Sequence, residues 1–148
     1  ETKYPITTTN IPTIIVAGRN DALVPVNHAS RAYFAKTQQA SPHAHNARYI
    51  EVTNAQHFDT FLAFGALLGY DTRYIPLHVY FNRAMDLMYA HLRYGEPLPE
   101  SQVVRTVPRP VVGGLVQPIG AANVPPIASV PAAADRIVAD DGTVSIPD

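Results

Sequence analysis

The chain has 148 residues, a formal net charge of −1 and no cysteine, and hydrophobic residues make up 47% of it. The length allows one domain at most, and the near-neutral charge without a Lys/Arg-rich run argues against nucleic acid as a partner. Without cysteine there is no disulfide framework, thiolate nucleophile or Cys-based zinc site, and the longest apolar run, 61–70, is shorter than the about 20 residues that a membrane span needs.

The first predicted element is a buried strand. Residues 11–17 form a continuous apolar, mostly β-branched run that ends at Gly18. A run that is apolar on both faces is typical of a strand inside a parallel sheet. Pro12 fits only at its beginning, where the loss of an N–H group is tolerated.

A helix and a second strand follow. Asn27 is predicted to cap a helix that runs to about Ala40, with four residues along one side: Ala29, Ala32, Tyr33 and Lys36. Residues 41–46 read as a loop, and the alternation over 48–53 predicts a second strand. A strand, a helix and a strand in this order form a crossover, which makes the two strands parallel and opens the loops after them on the same edge.

The most regular pattern begins at Pro76. Pro76 suits the first turn of a helix, and Gly95 suits its C-terminal cap. The spacing predicts a helix between them, because eight residues repeat at helical spacing: Leu77, Tyr80, Phe81, Ala84, Met85, Met88, His91 and Leu92.

Residues 97–148 differ sharply in composition from 1–96. All eight Tyr, five Phe and six His lie before residue 95, whereas 97–148 contains nine of the fourteen prolines. We therefore predict a core-forming part over 1–96 and a proline-rich tail over 97–148 that runs extended over a surface. At its end, 136–139 and 143–146 flank Asp-Asp-Gly, which predicts a short hairpin; the same triplet resembles a calcium loop but lacks the later ligands.

The residues with the strongest chemical implication are Asp21 and His57. Asp21 comes three residues after Gly18, and His57 comes four residues after Thr53, so both follow predicted parallel strands. Reactive groups of open α/β sheets lie beyond the carboxyl ends of the strands. A carboxylate that accepts the imidazole Nδ1–H fixes the tautomer and lets Nε2 take a proton from a nucleophile. We predict that Asp21 and His57 are catalytic as the acid and base of a hydrolase triad.

The third member of such a triad is missing from the pattern. In α/β-hydrolases the order is Ser, then Asp or Glu, then His, and the Ser lies in a Gly-x-Ser-x-Gly elbow. None of the five serines has that setting: Ser30, Ser41, Ser101, Ser129 and Ser145. Because the chain begins at Glu1 without an initiator Met or a signal segment, we expect a preceding portion. The predicted partner is thus an upstream segment or second chain that carries Gly-x-Ser-x-Gly, and this chain alone is expected to be inactive.

Other interpretations of these residues remain open. Asp21 alone could shape a turn, and His57 alone could be an ordinary hydrogen-bonded side chain. His43 and His45 could contribute two metal contacts, but no third ligand is evident nearby. An aromatic cluster after His57 is predicted to be core, with lining of an acyl pocket as the alternative: Phe58, Phe61, Leu62 and Phe64.

Four motifs resemble one particular family. They are Gly-Arg-Asn-Asp-Ala-Leu-Val-Pro-Val-Asn-His at 18–28, Asn-Ala-Gln-His-Phe-Asp at 54–59, Gly-Tyr-Asp-Thr-Arg-Tyr-Ile-Pro-Leu-His-Val-Tyr-Phe-Asn at 69–82, and Ser-Gln-Val-Val-Arg-Thr-Val-Pro at 101–108. They resemble the C-terminal part of D-3-hydroxybutyrate oligomer hydrolases. The resemblance implies the C-terminal section of an α/β-hydrolase parallel sheet with flanking helices.

The same resemblance implies a serine esterase that cleaves short (R)-3-hydroxybutyrate oligomers to monomer. Asp21 and His57 match the family's acid and base, and the reaction requires no metal or organic cofactor. A secreted or periplasmic location, or association with polymer granules in the cytoplasm, follows from the family alone. Two alternatives remain: an esterase of the tannase and feruloyl-esterase type, and a noncatalytic interaction module whose tail wraps a partner.

Overall fold

A three-stranded parallel sheet forms the centre of the structure, a computed structural model that describes residues 10–140 and 143–148. Its strands are β1 (Thr13–Gly18), β2 (Ala47–Val52) and β3 (Gln102–Val104), in that spatial order. Both neighbouring pairs are parallel. The α/β class, the two predicted strands and their parallel pairing are therefore confirmed. The sheet places the ends of β1 and β2 side by side, since Gly18 is opposite Val52.

Helix α1 (Ser30–Ala40) makes the crossover between β1 and β2. It begins two residues later than predicted, because a 3₁₀ turn occupies Val26–His28. Asn27 is not the helix cap: Ala29 holds that position, and the Asn27 side chain accepts a hydrogen bond from Arg31 Nη1 at 3.0 Å. The prediction of the cap was wrong because the side chain of Asn27 is engaged with the helix one turn farther along.

The side of α1 that faces the sheet is set by its largest apolar residue. Phe34 is 2% exposed and stacks on Tyr49 of β2 with ring centroids 5.3 Å apart. Thr37, one turn later, is also buried. Tyr33 and Lys36, which were placed together on one side of the helix, are exposed to solvent. Burial of an aromatic ring contributes more free energy than burial of alanine, which decides the orientation.

Two further helices follow β2. After a 3₁₀ segment at Asp59–Phe64 come the single turn α2 (Gly65–Leu68) and the long helix α3 (His78–Tyr94). The predicted long helix is confirmed together with its C-terminal cap. Gly95 is left-handed with φ 73°, and its N–H donates to the His91 carbonyl at 3.0 Å.

The region after α3 contributes more to the fold than its composition predicted. Strand β3 extends the sheet beside β2, and Val103 and Val104 are 2% and 4% exposed. The expectation of about two sheet strands and a tail that lies only on the surface is therefore wrong for Gln102–Val104. Three residues are too few for an alternating pattern to stand out, so their burial depends on the neighbouring strand.

Two small antiparallel hairpins lie in the part of the chain after β3, and 3₁₀ turns occupy Ala44–Asn46 and Ala133–Asp135. The first joins β4 (Val111–Val112) to β5 (Leu115–Val116), and the second joins β6 (Val138–Asp140) to β7 (Thr143–Ser145). Their strands pair antiparallel. The second hairpin confirms the prediction made from Asp-Asp-Gly, although 141 and 142 themselves lie outside the described residues.

The apolar core lies on both faces of the sheet. The face toward α3 contains six buried residues: Ile50, Val52, Ala55, Ile75, Tyr80 and Val104. The face toward α1 contains five: Phe34, Ala47, Tyr49, Val103 and Ile137. Within the described ranges no helix has both the length and the apolarity that crossing a bilayer would require. Packed side chains thus cover both faces of the sheet whose carboxyl edge carries the loops after β1 and β2.

Candidate active site

The structure brings Asp21 and His57 together at the carboxyl edge of the sheet. Asp21 lies in the loop after β1, and His57 lies in the loop after β2. His57 Nδ1 is hydrogen bonded to Asp21 Oδ2. The same oxygen accepts the backbone N–H of His57 at 3.2 Å. Two hydrogen bonds from one residue to one carboxylate oxygen hold the imidazole in a single orientation.

The second oxygen of Asp21 holds its own loop. Oδ1 accepts the backbone N–H groups of Leu23 at 3.0 Å and Val24 at 2.9 Å. The interpretation of Asp21 as a turn former therefore accounts for Oδ1, while Oδ2 is engaged with His57. The carboxylate is satisfied on both sides although the residue is only 9% exposed.

These hydrogen bonds keep Asp21 ionised. Burial acts to raise the pKa of the carboxyl, but the hydrogen bonds from the Val24 amide, from the ring and amide of His57 and from the Leu23 amide outweigh it, so the pKa lies below its ordinary value. The His57 side chain remains 37% exposed. With Nδ1 bonded to an anionic partner, Nε2 is the ring nitrogen that remains for a reacting group.

The loops that carry the two residues approach each other very closely at Gly18. A Cβ atom at this position would lie 2.4 Å from the carbonyl oxygen of Ala55, which is backbone and has no rotamer to escape into. Three hydrogen bonds cross the same gap: Arg19 N to Val52 O at 2.8 Å, Asn20 N to Ala55 O at 3.0 Å, and Asn54 N to Asn20 Oδ1 at 2.8 Å. The absence of a side chain at Gly18 thus sets the spacing of the two loops.

On its other side the His57 loop is anchored to α3 by Asp59. Its Oδ1 accepts the Leu77 N–H at 2.8 Å and its Oδ2 accepts the His78 N–H at 2.7 Å. Leu77, at the N-cap position, has no side-chain oxygen to satisfy these donors. This role of Asp59 was not predicted from the sequence. The available signal was an apolar residue at the start of a strong helix, which requires a capping group from elsewhere.

A buried ion-pair cluster supports the loop of Asp21 from beneath. Glu51 of β2 is fully buried and bonds to Arg19, two residues before Asp21, and to Arg31 of α1. The Tyr49 hydroxyl donates to Glu51 Oε2 at 2.9 Å. Burial acts to raise the pKa of Glu51, but the bonds from Arg31, Arg19 and Tyr49 outweigh it and lower the pKa. The cluster therefore joins the loop of Asp21 to α1 and β2.

A small pocket opens beside the Asp21–His57 pair. Its volume is about 160 Å³, and nine residues line it: Val16, Ala17, Gly18, Asp21, Val24, Val26, Ser30, His57 and Leu77. A neighbouring hollow of about 190 Å³ shares three of these residues and adds His78 and Phe81. Mostly apolar walls with one convergent polar pair are typical of sites for small organic molecules.

Ser30 lines this pocket, but its hydroxyl is engaged elsewhere. Ser30 Oγ and the Tyr49 hydroxyl are hydrogen bonded at 3.0 Å. Ser101, immediately before β3, accepts the Tyr49 N–H at its Oγ at 3.0 Å. Ser41 Oγ accepts the His43 N–H at 3.2 Å. These three hydroxyls therefore serve structural contacts around α1 and the sheet.

The structure supports neither a metal site at His43 and His45 nor a buried position for the phenylalanines after His57. The rings of His43 and His45 are 6.2 Å apart, and the described part of the chain contains no cluster of three or more His, Asp or Glu that could hold a metal ion. The aromatic residues after His57 are not core: Phe58, Phe61 and Phe64 are 37%, 36% and 54% exposed. That prediction was wrong because Asp59–Phe64 forms a 3₁₀ segment in which no residue is buried.

Fold and site together define an α/β protein with a parallel sheet and a carboxylate–imidazole pair at the carboxyl ends of adjacent strands. Comparison with protein families gives the particular relationship. The family model for 3HB-oligomer hydrolase matches residues 6–148. The chain belongs to the 3HB-oligomer hydrolase family.

Curated relatives agree with this assignment. The chain is 59% identical over 138 residues to a D-(-)-3-hydroxybutyrate oligomer hydrolase of Paracidovorax citrulli. The aligned region covers 93% of this chain and 20% of the relative. It is 56% identical over 137 residues to the enzyme of the same name from Azoarcus sp., covering 93% and 20%. The identity to the enzyme of the same name from Cupriavidus metallidurans is 51% over 141 residues, and the aligned region covers 92% of this chain and 19% of that enzyme.

The chain spans about one fifth of the length of these relatives. No solved structure matches it.

Proposed function

We propose that this chain supplies the acid and base of a serine carboxylic-ester hydrolase of the α/β-hydrolase type, acting on short (R)-3-hydroxybutyrate oligomers. The observation that carries the proposal is the bond between His57 Nδ1 and Asp21 Oδ2 at the carboxyl edge of a parallel sheet. The relatives' name, D-(-)-3-hydroxybutyrate oligomer hydrolase, supports this choice of substrate. The nucleophilic Ser belongs to an upstream segment or second chain that carries Gly-x-Ser-x-Gly.

The mechanism is acyl transfer in two steps. His57 Nε2 removes the proton of the Ser hydroxyl as its oxygen attacks the ester carbonyl. The resulting imidazolium gives this proton to the departing hydroxyl of the shortened oligomer, and an acyl-enzyme remains. Water then repeats the sequence: His57 takes its proton, hydroxide attacks the acyl ester, and the proton returns to Ser.

The role of Asp21 in this mechanism is electrostatic and geometric. Its lowered pKa keeps it anionic at the pH at which His57 must be neutral to act as a base. The carboxylate stabilises the imidazolium formed in each step and keeps the Nδ1–H tautomer, which leaves Nε2 as the acceptor. One backbone donor for the oxyanion follows the nucleophile and the other comes from an earlier loop, so both belong to the upstream segment or second chain.

The test uses the complete enzyme with hydroxybutyrate trimer as substrate. We expect His57→Ala to abolish turnover and Asp21→Asn to lower kcat by a factor on the order of 10⁴, because the amide favours the wrong tautomer. His45→Ala and Asp86→Asn are matched controls, since both side chains are exposed and lie in other elements. Full activity of His57→Ala would refute the assignment.

The same enzyme also tests the substrate and the position of the nucleophile. We expect hydrolysis of the trimer and little turnover of a feruloyl ester; the reverse preference would favour the tannase and feruloyl-esterase alternative. A fluorophosphonate probe followed by peptide mass spectrometry is expected to label a Ser in Gly-x-Ser-x-Gly. Stoichiometric labelling of one of this chain's five serines would contradict the proposed division of the triad.

A further inference from the structure

A row of aromatic rings leads away from His57. The ring of Phe58 lies against the His57 imidazole with centroids 3.8 Å apart. Phe61 follows at 5.2 Å from Phe58, Tyr70 at 6.1 Å from Phe61, and Tyr74 at 5.0 Å from Tyr70. Each ring is within contact range of the next, so the row is continuous from the imidazole outward.

The row is accessible and carries no charge along its rings. Phe58 and Phe61 each expose over a third of their surface, and Tyr70 and Tyr74 are half-buried. Asp59 is the one acidic residue of the 3₁₀ segment, and its carboxylate is bound to the backbone of α3. The ring faces themselves therefore offer an apolar surface, with Asp71 and Arg73 lying between Tyr70 and Tyr74 in the chain.

We propose that this aromatic row, Phe58, Phe61, Tyr70 and Tyr74, binds the part of the oligomer chain that extends beyond the ester being cleaved. The inference rests on the proposed function, because the row begins at the imidazole that would act on that ester. Its occupant must be apolar along its length and continuous with the reacting bond. An aliphatic polyester segment with methyl side groups and uncharged ester links has this chemistry, and CH groups pack well on aromatic faces.

The spacing between successive rings matches the repeat of the oligomer. A hydroxybutyrate repeat adds four backbone atoms, one more than an amino-acid residue, so it spans about 4–5 Å when extended. The rings follow one another at 5–6 Å. Each ring beyond Phe58 is therefore placed to meet about one repeat. A dimer would not reach past Phe58, whereas a tetramer would contact Phe61 and Tyr70.

Substitution of Phe61 distinguishes binding of the oligomer by the aromatic row from positioning of the His57 imidazole. Phe58 touches the imidazole, so its removal would change His57 as well as the row. Phe61 contacts Phe58 and Tyr70 and is one ring removed from His57. Phe64 lies in the same 3₁₀ segment and is more exposed, at 54%, but makes none of the ring contacts of the row. Phe64→Ala is therefore a matched control.

The experiment compares hydroxybutyrate dimer and tetramer as substrates of the complete enzyme. In Phe61→Ala we expect KM for the tetramer to rise about tenfold, the scale of a lost apolar pocket contact, with less than a twofold change for the dimer. Phe61→Leu keeps most of the side-chain volume and should give a smaller rise with the same dependence on length. Phe64→Ala should change neither substrate.

Three outcomes overturn the inference while leaving the proposed function intact. The first is an equal rise in KM for dimer and tetramer in Phe61→Ala and Phe61→Leu. The second is an unchanged KM for both substrates in these variants. The third is a rise in KM in Phe64→Ala that depends on oligomer length and is as large as the rise in Phe61→Ala. A wild-type enzyme that hydrolyses neither oligomer, or a His57→Ala enzyme that retains turnover, refutes the proposed function itself. A melting temperature for each variant separates loss of binding from loss of folding.

Discussion

Replacement of Gly18 by alanine tests whether the close approach of the two loops sets the geometry of the site. The added Cβ would lie 2.4 Å from the Ala55 oxygen, 2.6 Å from its carbonyl carbon and 2.8 Å from the Gln56 Cα. All three atoms are backbone, and ordinary van der Waals contact begins at 3.4 Å. The loop after β2 must therefore move by about 1 Å, because no side-chain rotation relieves the clash.

The magnitude follows from what that movement disrupts. The hydrogen bond from Asn20 N to Ala55 O, now 3.0 Å, would be stretched or lost, at a cost of about 0.5–1.5 kcal/mol. Overpacking adds about 1–3 kcal/mol. Because His57 is two residues after Ala55, its ring shifts relative to Asp21, and a misplacement of about 1 Å lowers kcat/KM by on the order of 10²-fold.

The assay measures urea denaturation and kcat/KM of Gly18→Ala in the complete enzyme. Gly120→Ala is the matched control, because a Cβ there would meet nothing closer than Asn123 Oδ1 at 3.9 Å. We expect Gly18→Ala to lose about 2–4 kcal/mol of stability and most of its activity, with Gly120→Ala close to wild type. A Gly18→Ala enzyme as stable and active as the control would refute this account of the loops. Loss of stability with full activity would show that the spacing does not govern the catalytic pair.

Two further predictions concern the groups that hold the loops in place. Glu51→Ala leaves Arg19 and Arg31 without their carboxylate, and we expect a loss somewhat below the roughly 3–5 kcal/mol of a fully buried pair, because both arginines keep some contact with water. Because the folded-state pKa of Glu51 is lowered, its contribution to the free energy of unfolding is complete above the ordinary pKa of 4.5 and disappears as the pH falls through the folded-state pKa. The difference in stability between wild type and Glu51→Ala should therefore become smaller in acid. A difference that grows in acid would contradict the ion pairing. Asp59→Ala removes the acceptor of two amides at the start of α3 and should cost about 1 kcal/mol in urea denaturation. The exposed Glu96→Ala and Asp86→Ala variants are the respective controls and should stay within about 0.5 kcal/mol of wild type; an equal effect in control and test would remove the assigned roles.

The sequence predicted an element of the fold well where its hydrophobic pattern was long or where a residue such as glycine marked its end. The apolar run at 11–17, the helix that ends at Gly95 and the crossover between the first two strands all follow from local periodicity and punctuation. The position of Asp21 and His57 at one edge follows from the crossover, because parallel neighbours end on the same side. These features depend on residues close together in the chain.

Other features could not be read from neighbouring residues. The buried side of α1 depends on the contact of Phe34 with Tyr49 across the crossover. The cap of α3 comes from Asp59, nineteen residues before His78. An aromatic cluster that looks like core in composition is exposed, because nothing in the described chain packs over it.

The sequence by itself determined the α/β class, the order of strand, helix and strand, and the identity of the carboxylate and imidazole, since hydrophobic period and loop position are local properties. Tertiary structure decided three other features. They are the addition of β3 to the sheet, the hydrogen bonds of Asp21 Oδ2 with the ring Nδ1 and the backbone N–H of His57, and the spacing of the two loops at Gly18. These depend on hydrogen bonds and steric contacts between residues more than thirty positions apart, whose partners are known only once the chain is folded.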